Sequence, residues 1–126
     1  MRRQPLHALL ALLASLLCTP AFAADSGLGQ FTIEVREKGA AERCLKLEAG
    51  QSIRYHFTAA GEVDFNIHFH RGDEIRTPVE RRAVGELDGV FRAESTEDYC
   101  LMWERRQSGA VKVTGRIEAR QAAATR

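Results

Sequence analysis

Several absences narrow the field before any motif is weighed. The 126 residues contain no glycine-rich phosphate loop and no G-x-S-x-G elbow, so nucleotide cradling and elbow-type nucleophilic hydrolysis have no sequence support. There is no C-x-x-C pair, the usual spacing of redox thiols. Three prolines and ten glycines, scattered rather than periodic, exclude a collagen-like or low-complexity chain. Neither sign of charge dominates: the formal net charge is +1, which removes the electrostatic case for nucleic acid. Internal repeats are missing, and beyond the N-terminus no apolar run is long enough to cross a bilayer.

What is present starts with an address. Arg2 and Arg3 form a basic n-region, Leu6 to Leu17 an almost unbroken apolar h-region, and Ala21-Phe22-Ala23 an A-x-A cleavage box after Pro20. This is the pattern of a secretory signal peptide over residues 1–23, with cleavage expected after Ala23. A membrane anchor is the weaker reading, because the apolar stretch is too short to span. Acylation at Cys18 is disfavoured by Leu17, where a lipobox has a small residue. Removing Arg2 and Arg3 leaves 16 of the 18 basic residues against 17 acidic ones, so a near-neutral mature chain without a transmembrane segment is expected in a periplasm or outside the cell.

Cleavage also removes Cys18 and leaves Cys44 and Cys100. An even pair in an oxidising compartment reads as one disulfide. The rival reading is a pair of metal or redox thiols.

The remaining chain alternates with period two. Phe31, Ile33 and Val35 alternate with polar residues; so do Ile53, Tyr55 and Phe57, then Val63, Phe65, Ile67 and Phe69, then Tyr99, Leu101 and Trp103, and finally Val111, Val113 and Ile117. Repeated half-buried strands punctuated by Lys38-Gly39, Ala49-Gly50, Arg71-Gly72, Asp88-Gly89 and Ser108-Gly109 predict an all-β domain. We expect an antiparallel β-sandwich of seven or eight short strands over residues 24–119, followed by a disordered tail over 120–126. Glu74 to Arg76 reads as a short strand ended by Thr77-Pro78, and Val79 to Leu87 as an exposed charged loop or edge. Ala59-Ala60-Gly61 reads as a three-residue hairpin loop that places Thr58 opposite Glu62, His56 opposite Asp64 and Ser52 opposite His68.

His68 and His70 are the most distinctive polar residues. Two apart on a strand, they leave one face with α-carbons about 6.5–7 Å apart, close enough for two imidazoles to share copper or zinc. By parity they should be solvent-accessible along with Asn66, while Phe65, Ile67 and Phe69 are buried. Two ligands do not make a specific site. Asp73 and Glu74 just past the strand are further candidates, as is Met102 if its strand lies alongside. In the expected hairpin, His56 sits about 13 Å from the pair and takes no part. No catalytic constellation emerges. Ser52 near His56 is no triad, and the adjacent Glu97 and Asp98 point to opposite faces. Tyr99 and Trp103 fit the core, and Arg81-Arg82 and Arg105-Arg106 a solvated surface.

The order of the segments FTIEV, RCLKLEAGQSIRYHF, VDFNIHF, GVF and YCLMWE resembles the GOLD domain, the lumenal β-sandwich of Golgi cargo receptors. The resemblance covers most of residues 30–118 and aligns Cys44 and Cys100 with that family's bridging cysteines. It implies a protein- or lipid-binding sandwich without catalytic residues. The cargo receptors follow this domain with a coiled coil and a membrane anchor, which are not expected here, and the signal and compact size look bacterial, so cargo transport is not carried over. The combined expectation is a small exported non-catalytic module that binds a protein or small ligand and has no obligate cofactor. The alternative is a periplasmic copper- or zinc-binding protein that uses His68 and His70.

Overall fold

A computed structural model describes residues 27–37 and 39–120. The expected signal peptide and residues 121–126 lie outside the described residues; Arg120, assigned above to the tail, belongs to the last strand. Six strands are present: β1 (Gly29–Val35), β2 (Ala40–Leu47), β3 (Ser52–Arg71), β4 (Glu74–Arg92), β5 (Glu97–Arg105) and β6 (Val111–Arg120). They form one curled antiparallel sheet in the order β1-β6-β3-β5-β2, with β4 along the other edge of β3. The fold class is the expected all-β antiparallel sandwich, built from fewer and longer strands.

The largest correction concerns Ala59-Ala60-Gly61. These residues are not a hairpin loop. They lie within β3, which runs unbroken for 20 residues. Its first half pairs with β6 from Ser52 to Ala59 and its second with β5 from Val63 to His68. Residues 60–62 are therefore the corner where one strand passes between the two halves of the sheet. Gly61 does not have the positive φ that would turn the chain back. The Gln107 side chain occupies the space where a Cβ would stand, so the glycine permits close approach. The registers expected for Ser52, His56 and Thr58 fall with the hairpin: across β4 they face Arg92, Asp88 and Glu86.

β4 supplies the other corrections. The strand does not end at Pro78 but continues to Arg92. The ladder shifts register between Ile67 and Phe69, opposite Val79 and Arg76, and Pro78 sits in this irregularity on an edge strand, where a missing N–H is tolerated. Asp88-Gly89 is not a turn either. Gly89 lies opposite Tyr55, whose ring fills the place of a Cβ. The charged stretch 79–87 is an edge, as one of its two readings held. Charges along such an edge discourage pairing with another chain.

The inner faces of the two halves meet in an aromatic core. Trp103 on β5 stands 5.2 Å from Phe31 on β1, 5.6 Å from Phe57 and 5.5 Å from Phe65, ring centre to ring centre. Phe65, Ile67, Phe69, Tyr99 and Trp103 are all buried, in agreement with parity. The Tyr99 hydroxyl donates to Ser95 O at 2.8 Å and ties the β4–β5 connection to the core.

Candidate functional site

The outer face of the second half of β3 carries Asn66, His68 and His70. β5 lies alongside, so Met102 is paired with Asn66 and Cys100 with His68. β2 lies beyond it, with Glu42 paired to Met102 and Cys44 to Cys100. Paired residues share a face, so three strands present two adjacent rows: Asn66, Met102, Glu42 and His68, Cys100, Cys44. Met102 therefore does stand beside the imidazole pair, the condition on which its candidacy rested.

His68 departs from expectation. Its side chain is only 7% exposed although it leaves the outer face. Parity distinguishes core from outside but does not register lateral neighbours. Here Asn66, Glu42, Cys100 and the His70 ring, 5.3 Å away, enclose the imidazole. Its Nδ1 is 2.8 Å from Asn66 Oδ1. With the Asn66 amide oxygen turned to the ring, Nδ1 is the donor; the other tautomer would require the amide to be turned over. In the neutral ring Nε2 then carries a lone pair, and it faces Glu42 Oε1 at 3.5 Å. A proton on Nε2 makes this contact an ion pair, and a metal cation between the two atoms would serve the same purpose. A histidine whose second nitrogen is tied to an oxygen acceptor has the orientation of a metal ligand. The ligand atoms of Glu42, His68 and Cys100 all lie within 4.8 Å of one another.

The other sequence candidates separate. His70 borders the cluster and is exposed. Glu74 is paired with Arg71, on the face opposite the imidazoles, and forms an ion pair with Arg76 at 3.0 Å. Asp73 is in the β3–β4 turn, outside the grouping of Glu42, His68 and Cys100. His56 is on the first half of β3, with Nε2 3.7 Å from Glu86 Oε1. The hairpin on which its exclusion was argued is absent, and His56 lies outside the grouping of Glu42, His68 and Cys100. Sequence reading missed Glu42 and Asn66 as working groups. Asn66 was within reach, two residues before His68 on the same face. Glu42 was not, because nothing local pairs its strand with Met102.

Cys44 and Cys100 form a disulfide. It does not pass through the core. The two residues are directly opposed on neighbouring strands, with α-carbons 4.0 Å apart, and Cys44 is exposed on the outer face.

A second feature lies at the end of the inner face. A cleft of about 460 Å³ is bounded by Phe69, Phe91, Tyr99, Arg71, Arg76 and Arg92, among others. Arg71 is paired to Glu97 at 2.6 Å and Arg76 to Glu74 at 3.0 Å. Among the described residues Arg92 forms no such ion pair, although Glu94 also lines the cleft.

Away from both, Asp64 Oδ1 accepts from Ala83 N at 2.9 Å and from Arg106 Nη1 at 2.8 Å. Burial alone would raise the Asp64 carboxyl pKa. The Ala83 N–H and the Arg106 guanidinium outweigh it and hold the group below the ordinary carboxylate value.

No family model matches the sequence, and no curated protein matches it. The chain is similar in structure to the pre-peptidase C-terminal domain of a Bacillus anthracis collagenase, with TM-score 0.53 and 11% identity over 72% of this chain and 90% of that one. It is also similar to PliG of Aeromonas hydrophila, a periplasmic inhibitor of g-type lysozyme, with TM-score 0.49 and 14% identity over 79% and 93%. A third likeness is to TmCBM61, solved in complex with β-1,4-galactotriose, with TM-score 0.45 and 14% identity over 75% and 66%. At these identities the likeness to the collagenase domain is one of fold alone: a small antiparallel β-sandwich.

Proposed function

We propose that this is an exported, non-catalytic binding module whose ligand is a divalent transition-metal ion, copper(II) or zinc, taken at His68 Nε2. The reading rests on one observation: a buried imidazole with Nδ1 tied to Asn66 and Nε2 turned toward the Glu42 carboxylate. His68 and Glu42 supply the nitrogen and oxygen donors such ions accept, with His70 and Met102 on the same face at its border. The site has no nucleophile–base pair, which supports binding rather than turnover. Titrating zinc into the oxidised mature protein, followed by histidine nitrogen NMR shifts, tests it. We expect saturable binding at neutral pH that moves His68 Nε2 and leaves His56 in place. Acidification should weaken it, since protons compete for the same lone pair. Absence of saturable binding would remove the site.

A second reading is favoured by the cleft. Its aromatic floor and Arg92, which lacks a paired carboxylate among the described residues, suit a protein segment or small ligand carrying an anionic group on an apolar body. Such a ligand should shift the amides of Phe91 and Arg92 and lose affinity in Arg92→Ala, without disturbing His68.

A further inference from the structure

The disulfide and the imidazole occupy the same row of the same face, and reduction of the disulfide changes what that row can hold. We propose that Cys44, Cys100, His68 and Glu42 form a four-ligand zinc site that exists only when the Cys44–Cys100 bond is open. The inference rests on the reading of His68 as a metal ligand and adds that the cystine is its gate.

The placement carries the proposal. Cys100 is paired with His68 on one side and with Cys44 on the other. Glu42 is two residues before Cys44 on the same face of β2, and its carboxylate already groups with a His68 ring nitrogen and Cys100 Sγ within 4.8 Å. A tetrahedral ion with Zn–S of about 2.3 Å and Zn–N of about 2.0 Å requires donor separations of roughly 3.3–3.8 Å. Small side-chain adjustments therefore suffice for Glu42, His68 and Cys100, whereas Cys44 Sγ lies outside that grouping and has to swing toward it as the bond to Cys100 is cut. While the disulfide is intact, Cys100 Sγ offers no thiolate, and only His68 and Glu42 remain as donors from this set.

Opening the bond leaves the scaffold in place. The disulfide joins two strands already held by a ladder from Ala40–Glu104 to Leu47–Glu97. Tyr99, Leu101 and Trp103 pack on the opposite face of β5. Cys44 is exposed to an attacking thiol, and exposed disulfides are the labile ones. The chemistry balances. A dithiol supplies two electrons and two protons to the S–S bond, and its own sulfurs join in a new disulfide. Zinc then displaces both protons from Cys44 and Cys100 Sγ without changing oxidation state. Thiolate donors make the site far more selective for zinc than an imidazole and a carboxylate alone.

The test compares the oxidised and dithiol-reduced mature protein, titrated anaerobically with zinc and with cobalt(II) as a coloured substitute. Reduction should tighten zinc binding at least about 100-fold. It should also produce thiolate-to-cobalt charge-transfer absorption that Cys100→Ser and His68→Ala each diminish. A reduced protein that keeps its near-UV circular dichroism but binds zinc no tighter than the oxidised form overturns the gate. So does one that unfolds on reduction and is not refolded by zinc. If the oxidised protein also binds no metal, the reading of the previous section fails separately, because that experiment involves no thiol.

Discussion

His56 and His68 sit in near-identical local sequence, Tyr-His-Phe and Ile-His-Phe, on the same face of the same strand. Each has a glutamate carboxylate near Nε2, at 3.7 Å for His56 and 3.5 Å for His68. Yet one imidazole is 46% exposed and the other 7%. The difference comes from the strand alongside. In the first half of β3 the neighbour is β6, which offers Arg116 opposite His56. In the second half it is β5, which offers Cys100 and, beside it, Met102. A solvated ion-pair surface and an enclosed donor cluster are thus built on one alternating pattern. The chemistry of an outer-face residue in a sheet is set across the strands.

Four measurements break or sharpen this contrast. The largest effect should come where the two halves do not differ. Phe65, on the inner face, meets Tyr55, Phe57 and Trp103 with ring centres 5.0–5.5 Å apart. Phe65→Ala should cost roughly 3 to 5 kcal/mol in chemical denaturation. A loss below about 1 kcal/mol would mean that the inner face of β3 is misassigned.

Next, His68→Ala should lower zinc affinity about 100-fold, whereas His56→Ala should leave it unchanged. Equal losses would erase the distinction between the halves. Asn66→Ala should fall between them, by about tenfold, because it frees the ring without removing the donor.

Asp64 marks the border of the enclosed half and should show a smaller, pH-dependent effect. Its carboxyl is held below its ordinary value in the fold, so its stabilisation is present above the unfolded-state value and is lost as pH falls through the lowered native one. Asp64→Asn should cost about 1 kcal/mol at neutral pH, and the gap from the parent should close on acidification. A gap that is constant with pH would show that the carboxylate charge is not what Ala83 and Arg106 hold.

Smallest of all, Arg54→Ala removes an exposed partner of Asp88, at 3.0 Å, from the exposed half. The unfolding midpoint should stay within experimental error, as for most surface pairs. A clear drop would mean that the first half of β3 is not the plain solvated surface described.

Much of this arrangement was readable from residue order. Alternation identified the inner-face residues of β3, β5 and β6, because a residue's side of a strand depends only on parity. The paired cysteines followed from their number and the expectation of export. The hairpin at Ala59-Ala60-Gly61 was misread because a glycine marks either a turn or a close approach, and the two differ in φ, which composition does not report. His68 was rightly placed on the outer face yet wrongly taken as accessible. Glu42 was missed, since the carboxylate that faces His68 lies 26 positions away on a strand that does not even pair with β3.

The sequence by itself determined the all-β class, the two-sided patterning of each strand and the polar groups available on the outer face. Those properties follow from local stereochemistry: successive side chains alternate, and one apolar face must be buried. Tertiary structure alone decided which strands became neighbours, that β3 passes the corner unbroken, and that His68, Glu42 and the Cys44–Cys100 disulfide share one patch of surface. Neighbourhood in a sheet is a choice among long-range pairings, fixed by how the whole set of apolar faces closes on one core.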